Sequence, residues 1–324
     1  MGPARAVKKP LLIIASCTDR KRLPAPMALR LRRYREATLA ARFESWWEAV
    51  CESRSAALPA QTLYLGDHWA VVRDLPAVAE IAGWKAQIWV ASAGYGLVPT
   101  AAPLHPYAAT FSRGHRDAVA RATTPNGRAD ARTWWSLLGS VGGPVKRAPR
   151  RVSDLLNENP RAHVLLVGSE AYIRALEEDI REVLHQLRGR DALMVVTGVG
   201  VNLSPELKEA CIPSVAELAH HLGGSLVALH ARLARRILQD APRTGLEASE
   251  VGKAVRRLIQ QSPRRALFNR EKMTDREVTN FIGRSLKQDA MAPHTVLLRR
   301  LRDSGNACEQ KRFRDLFGQV RRNA

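Results

Sequence analysis

The sequence predicts an α/β fold: a short parallel sheet of about four strands flanked by helices, followed by a small C-terminal helical unit of winged-helix or helix-turn-helix type. Three observations carry this. Four apolar runs of four or five residues, rich in β-branched side chains, recur through the first two thirds of the chain. Longer amphipathic segments separate them, which is the alternation of βαβ units. Past residue 245 the pattern changes to short helical faces set among basic residues.

The runs are Leu11–Ala15, Gln87–Ala91, His163–Val167 and Leu193–Val196. Trp46-Trp47 and Trp134-Trp135 fall in the helix-like segments between them and are expected to pack in the core or between domains. Ser204-Pro205 reads as an N-cap with proline at the first helical position. Ser214 and Glu217 have the spacing of a capping box opening a helix through Leu218 and Leu222. Gly223-Gly224 breaks that helix before Leu229, Leu233 and Ile237 resume one face. These elements define a first domain over 1–240. A second, over 245–324, opens with a capping box at Thr274–Glu277, and Val278, Phe281, Ile282 and Leu286 share a helical face. A helix from His294 to Arg302 follows, stopped by Ser304-Gly305, and then a packed element containing Phe313, Leu316 and Phe317.

Charge narrows the class. The 324 residues carry 51 Lys/Arg against 31 Asp/Glu, a net +20, with 45% apolar residues. That apolar fraction excludes a wholly disordered chain. No apolar run is long enough for a membrane span, and Leu11–Ala15 is too short for a signal-peptide core. Four scattered cysteines fit neither a disulfide framework nor a zinc site, so a reducing cytoplasm is expected. Residues 1–40 hold ten Lys/Arg against two acids, and residues 245–324 hold eighteen against nine. Two basic ends around a nearly neutral middle point to nucleic acid, with double-stranded DNA the expected partner.

The C-terminal ends of parallel strands emerge on one edge, where open α/β sheets bind ligands. The four runs end in Ser16-Cys17-Thr18-Asp19, Ser92-Ala93-Gly94-Tyr95-Gly96, Gly168-Ser169-Glu170 and Thr197-Gly198. Small residues there admit a ligand to the backbone. No GxxxxGK[ST] occurs, and Gly198-Val-Gly200 lacks the third glycine of a dinucleotide fingerprint.

Several of these segments together resemble an uncharacterised family of bacterial and phage α/β domains. The residues concerned are Ser16-Cys17 with Lys21, Leu63-Tyr64 with Arg73 downstream, Ser92 to Val98, Pro106-Tyr107, and the turn Gly168 to Tyr172. The likeness covers roughly residues 10–235. More distantly, the layout is similar to the uracil-DNA glycosylase superfamily, in which a short parallel sheet holds an extruded base. The water-activating Gly-x-Asp-Pro-Tyr of those enzymes does not occur here. The resemblance implies a base-binding pocket and, through the phage-linked relatives, defence against modified phage DNA.

Candidate residues follow from that chemistry. Asp19, Asp67 and Glu170 are the carboxylates able to orient water or stabilise a cationic sugar. Ser16, Cys17, Ser92, Gly94, Tyr95, Gly96, His105, Tyr107, Ser169 and Asn202 are the expected pocket, the tyrosines for stacking and His105 or Asn202 for a base edge. Arg20, Lys21, Arg22, Arg113, Arg116, Arg299, Arg300, Arg302, Lys311 and Arg312 are the expected phosphate contacts. Arg147, Arg150 and Arg151 lie in an irregular basic stretch that reads as surface. No metal and no organic cofactor is called for. The expected activity is cleavage of the N-glycosidic bond of a modified base. The alternatives are a non-catalytic reader of unusual bases and a transferase acting on free nucleotides or deazapurines.

Overall fold

The computed structural model describes residues 8–120, 127–184, 187, 189–199, 203–263 and 270–322. Two compact units divide at residue 263, and each is described by itself.

All four apolar runs form strands of one sheet. They are β1 (Lys9–Ser16), β2 (Trp84–Ser92), β4 (His163–Val167) and β5 (Leu193–Thr197). The sheet is larger than expected and is mixed rather than purely parallel. Gly96–Pro99, read in the sequence as a ligand turn, is a fifth strand, β3, and Cys211–Pro213 is a sixth, β6. The order is β3-β2-β1-β4-β5-β6, and among the described residues only β3 runs antiparallel. Both additions are too short, and too broken by Gly or Pro, to show a strand pattern of their own.

Leu11 to Ala15 are consecutive and all buried, so both faces of β1 are covered. That coverage is why the central strands read as unbroken apolar runs rather than alternating ones. Helices α1 (Leu39–Glu52), α2 (Asp67–Ile81), α3 (Gly127–Ser140) and α4 (Glu170–Ala175) fall between the strands. Helix α5 (Leu229–Thr244) packs on α2, β4 and β5, with Leu229, Leu233 and Ile237 buried as their spacing predicts. Helix α6 (Ala248–Gln261), which lies beyond the expected boundary at 245, packs against β6 in the first unit. The expected capping box at Ser214 is not formed. The Ser214 amide donates to the Thr197 carbonyl (2.6 Å), which prolongs the β5–β6 pairing. The chain then turns through a 3-10 segment, Ala216–Leu218.

The second unit contains α7 (Asp275–Gln288), α8 (His294–Asp303) and α9 (Gln310–Arg322). The capping box is present: the Thr274 hydroxyl accepts from the Glu277 amide, and Glu277 accepts from the Thr274 amide. Val278, Ile282, Leu297, Leu298, Leu301 and Phe313 form its separate core. A two-residue parallel ladder, Glu271–Lys272 with Asn306–Ala307, ties its start to the turn after α8.

Among the described residues no helix is long and apolar enough to cross a membrane.

Candidate active site at the strand ends

The end of β1 is fixed on both sides. The Cys17 amide donates to the Ala91 carbonyl (3.0 Å), so pairing with β2 continues one residue past the strand. The next turn is laced to residues 62–65: Leu65 donates to Arg20, Arg22 donates to Leu63, and the Thr18 hydroxyl donates to the Leu65 carbonyl (3.1 Å). Lys21 therefore folds back over its own loop. Its ammonium donates to the carbonyls of Thr18 (3.0 Å) and Asp19 (3.3 Å). It lies 4.1 Å from the centre of the Tyr107 ring and 5.7 Å from that of Tyr64. Burial, outweighing the attraction of Cys17, Asp19 and Asp117, holds this amine below the usual lysine range.

The β2 end forms the next layer. The Ser92 hydroxyl accepts from the amides of Gly94 (3.3 Å) and Tyr95 (3.1 Å), and shares a 2.6 Å hydrogen bond with the Tyr107 hydroxyl. That hydroxyl is 3.0 Å from Tyr64 Oη. Glycine is required at position 94, where a Cβ would stand 2.5 Å from the Tyr107 ring. Gly96 adopts φ +76°, which lets the chain reverse into β3. Trp46 and Trp134 donate their indole N–H groups to the carbonyls of Gly94 and Ala93.

The β4 end joins the first. Tyr172 Oη lies 3.2 Å from Cys17 Sγ and 3.3 Å from Thr110 Oγ1. Gly168 is set directly against Ser16. Burial raises the phenols of Tyr64, Tyr107 and Tyr172 well above the ordinary tyrosine value, so all three are neutral hydrogen-bonding groups. Glu170, in the first turn of α4, pairs with Arg174 (3.6 Å), and its carboxylate flanks Gly198 at the end of β5. Cys211 donates to the Gly198 carbonyl, and burial, then Glu170, raises its thiol to about 11.

Residues far apart in sequence thus meet at one edge: Ser16, Cys17, Lys21, Tyr64, Ser92, Gly94, Tyr107, Ser169, Glu170 and Tyr172. All ten fall in the segments on which the resemblance rests. The other expected residues are placed differently. Tyr95 is as buried as Tyr107, so neither ring is open for stacking, and the Tyr95 hydroxyl bonds to the His105 backbone. His105 turns away and donates through Nδ1 to the Ser55 carbonyl (2.6 Å). Asn202 lies outside the described residues. Asp19 is exposed, 3.9 Å from His115 Nε2. Asp67 accepts from the Ser225 amide and hydroxyl and from Arg232 (2.6 Å), which clamps α2 to the start of α5. Chiefly the Ser225 hydroxyl keeps its carboxyl below the usual range. The half-buried groups left at the rim are Thr18, Lys21, Ser169, Glu170 and Arg174.

Arg20, Arg22, Arg113 and Arg116 are exposed. In the second unit Arg299 and Arg300 are exposed on α8 with no partner among the described residues. Arg302 donates to the Cys308 carbonyl, Lys311 pairs with Asp315, and Arg312 pairs with Asp275.

Sequence reasoning missed Arg150. It is no surface residue: its guanidinium donates to the carbonyls of Tyr95, Leu97, Leu138 and Val141, and so pins β3 to α3. Burial lowers it to about 10. Nothing in the sequence separates Arg150 from Arg147 and Arg151, because its partners are all backbone carbonyls. Among the described residues no group of three or more His, Cys, Asp or Glu is arranged to hold a metal ion.

Compared with protein-family models, with curated proteins and with solved structures, the chain has no match in any of the three.

Proposed function

We propose that the protein is a DNA glycosylase-like enzyme that cleaves the N-glycosidic bond of a modified base. The observation that supports the reading is the presence, at one sheet edge, of a half-buried carboxylate in an ion pair with Arg174 and, over a neutral hydroxyl network, of an ammonium. Glu170 supplies the carboxylate and Lys21 the ammonium. In the reaction the bond from the sugar C1′ to the base breaks with its electron pair leaving on the base. Glu170 stabilises the resulting cationic sugar, orients the water that attacks it and takes that water's proton, while the departing base anion takes a proton from solvent. Lys21 supplies positive charge to the departing base or a flanking phosphate. The rings of Tyr107 and Tyr64 lie beneath Lys21 rather than stacking on the base, and Ser92 holds Tyr107. Arg20, Arg22, Arg113 and Arg116 hold phosphates around the edge. The second unit acts as a helix-turn-helix-like clamp, with Arg299 and Arg300 on the strand backbone.

The test is incubation with modified and plain duplexes followed by alkali. Breaks on a modified duplex, lost in Glu170→Gln, are expected. If no modified substrate yields breaks, the enzymatic reading fails.

One observation favours a second reading, a non-catalytic reader of unusual bases. Asp67 and the hydroxyls of Tyr64, Tyr95 and Tyr107 are all committed to partners inside the fold. That reading expects tight binding to a modified duplex without abasic sites, unchanged in Glu170→Gln.

A further inference from the structure

The antiparallel strand β3 covers only part of its neighbour. It pairs with Trp89 to Ser92 and stops at Pro99. The preceding residues of β2, Lys85 to Ile88, pair with β1 on one side. On the other, no backbone group among the described residues pairs with them. An edge of this kind normally invites a partner. Here it opens into a cavity of about 580 Å³ bounded by α2 and lined by Gln61, Arg73, Gln87, Trp89, Pro99 and Thr100. The volume is that of a small-molecule site. The cavity lies along the flank of the sheet, separate from the strand-end cluster.

Its chemistry is selective. Trp89 is half-buried and borders the cavity, so it offers an indole surface on which a flat ring can stack. Gln87, two residues earlier on the same side of the strand, is exposed, and its amide carries both donors and an acceptor. The unpaired N–H and C=O groups of the strand offer the same alternation. Arg73 is exposed and spends one N–H on the Gln61 carbonyl (3.2 Å), which leaves most of its fork available. Among the described residues no acidic one lines the cavity. An open edge of four residues is short for adding a peptide strand. An aromatic surface, hydrogen-bonding edges and a cation suit a heterocycle bearing a phosphate.

We propose that this cavity is a second nucleotide site: it takes one base of a single-stranded segment on Trp89, with Gln87 and the β2 edge at its polar rim and Arg73 on the phosphate. The site is distinct from the reaction edge and stands whether or not that edge cleaves anything.

Photo-cross-linking of the full chain to a 5′-phosphorylated pentamer containing 5-bromodeoxyuridine tests it. An adduct at Trp89 is expected, together with about tenfold weaker pentamer binding in Trp89→Leu. Arg73→Ala, a change at an exposed helix position, should flatten the salt dependence of pentamer binding by about one phosphate contact. Adducts that map only outside residues 61–100 overturn the proposal, as does parental binding by both variants. Displacement of the pentamer by an extended uncharged peptide would identify the edge as a strand-docking site and also overturn it. Glu170→Gln should leave the adduct in place. A protein that forms the adduct but no abasic sites therefore sinks the glycosylase reading and leaves this one intact.

Discussion

The thiol of Cys17 and the phenol of Tyr172 lie 3.2 Å apart across 155 residues of chain, and they couple the end of β1 to the first helix after β4. Thr110 makes the third member at 3.3 Å. Tyr172→Phe removes one shared hydroxyl and leaves Thr110 without that partner. A loss of about 1 kcal/mol is expected, read as a lower urea midpoint with an unchanged slope.

His68, in the first turn of α2, sets an acid limit on the fold. Burial first, and the nearby His230 second, lower its imidazole to about 4, while Asp67 and the Ser16 backbone pull the other way. The unfolded chain takes up this proton near pH 6.5 and the folded one only near pH 4. The unfolded state therefore binds more protons between those values. Stability is full above about pH 6.5, falls as pH drops through the window, and levels off below it, a loss of roughly 3 kcal/mol. Stability curves measured from pH 7.5 to 4 should show this slope. His68→Asn should reduce it.

The carboxylates separate by role. Glu170→Gln should leave the thermal midpoint near the parental value and abolish abasic-site formation. Asp67→Asn should do the reverse: it weakens the clamp to Ser225 and Arg232, costs about 1 kcal/mol at this partly exposed position, and spares the reaction. Parallel calorimetry and alkali-cleavage assays on both variants decide the assignment.

Arg150 is a structural staple. Arg150→Ala leaves carbonyls of Tyr95, Leu97, Leu138 and Val141 without their donor. A loss of about 3 kcal/mol is expected. Arg150→Lys should recover only part of it, because an ammonium cannot span four carbonyls on two separate segments. Denaturant titration of the two variants checks this.

In the second unit, only some arginines are available to a polyanion. Arg299→Ala and Arg300→Ala should each lower the slope of log K against log salt by about 0.9 on duplex DNA. Arg312→Ala should change that slope less, since its guanidinium is held by Asp275. Binding titrations at three salt concentrations distinguish them.

The central strands were legible because burial on both faces demands a continuous apolar run, and Leu11–Ala15 and Leu193–Val196 obey that rule. The tail helices were legible because Thr274 and Glu277 cap locally. What escaped depends on distant partners. β3 exists because Gly96 reverses the chain and Arg150, some fifty residues on, fastens it. The Ser214 capping box failed because its amide was already committed to Thr197. At the candidate site, the strand-end turns could be named in advance. The burial of Tyr95 and Tyr107 could not, since it arises from Trp46, Trp134 and Arg150 packing on the same loop.

β1 occupies a central place in the sheet, yet it is made first, and its neighbours arrive late. β2 is the nearer, and β4 completes the enclosure about 150 residues after β1 leaves the ribosome. At ordinary rates of synthesis, that leaves the stretch Leu11–Ala15 unsheathed for roughly 10–30 s. Slowing translation between the codons for Arg20 and Glu170 should therefore lengthen that exposure and raise the fraction of the protein recovered in inclusion bodies.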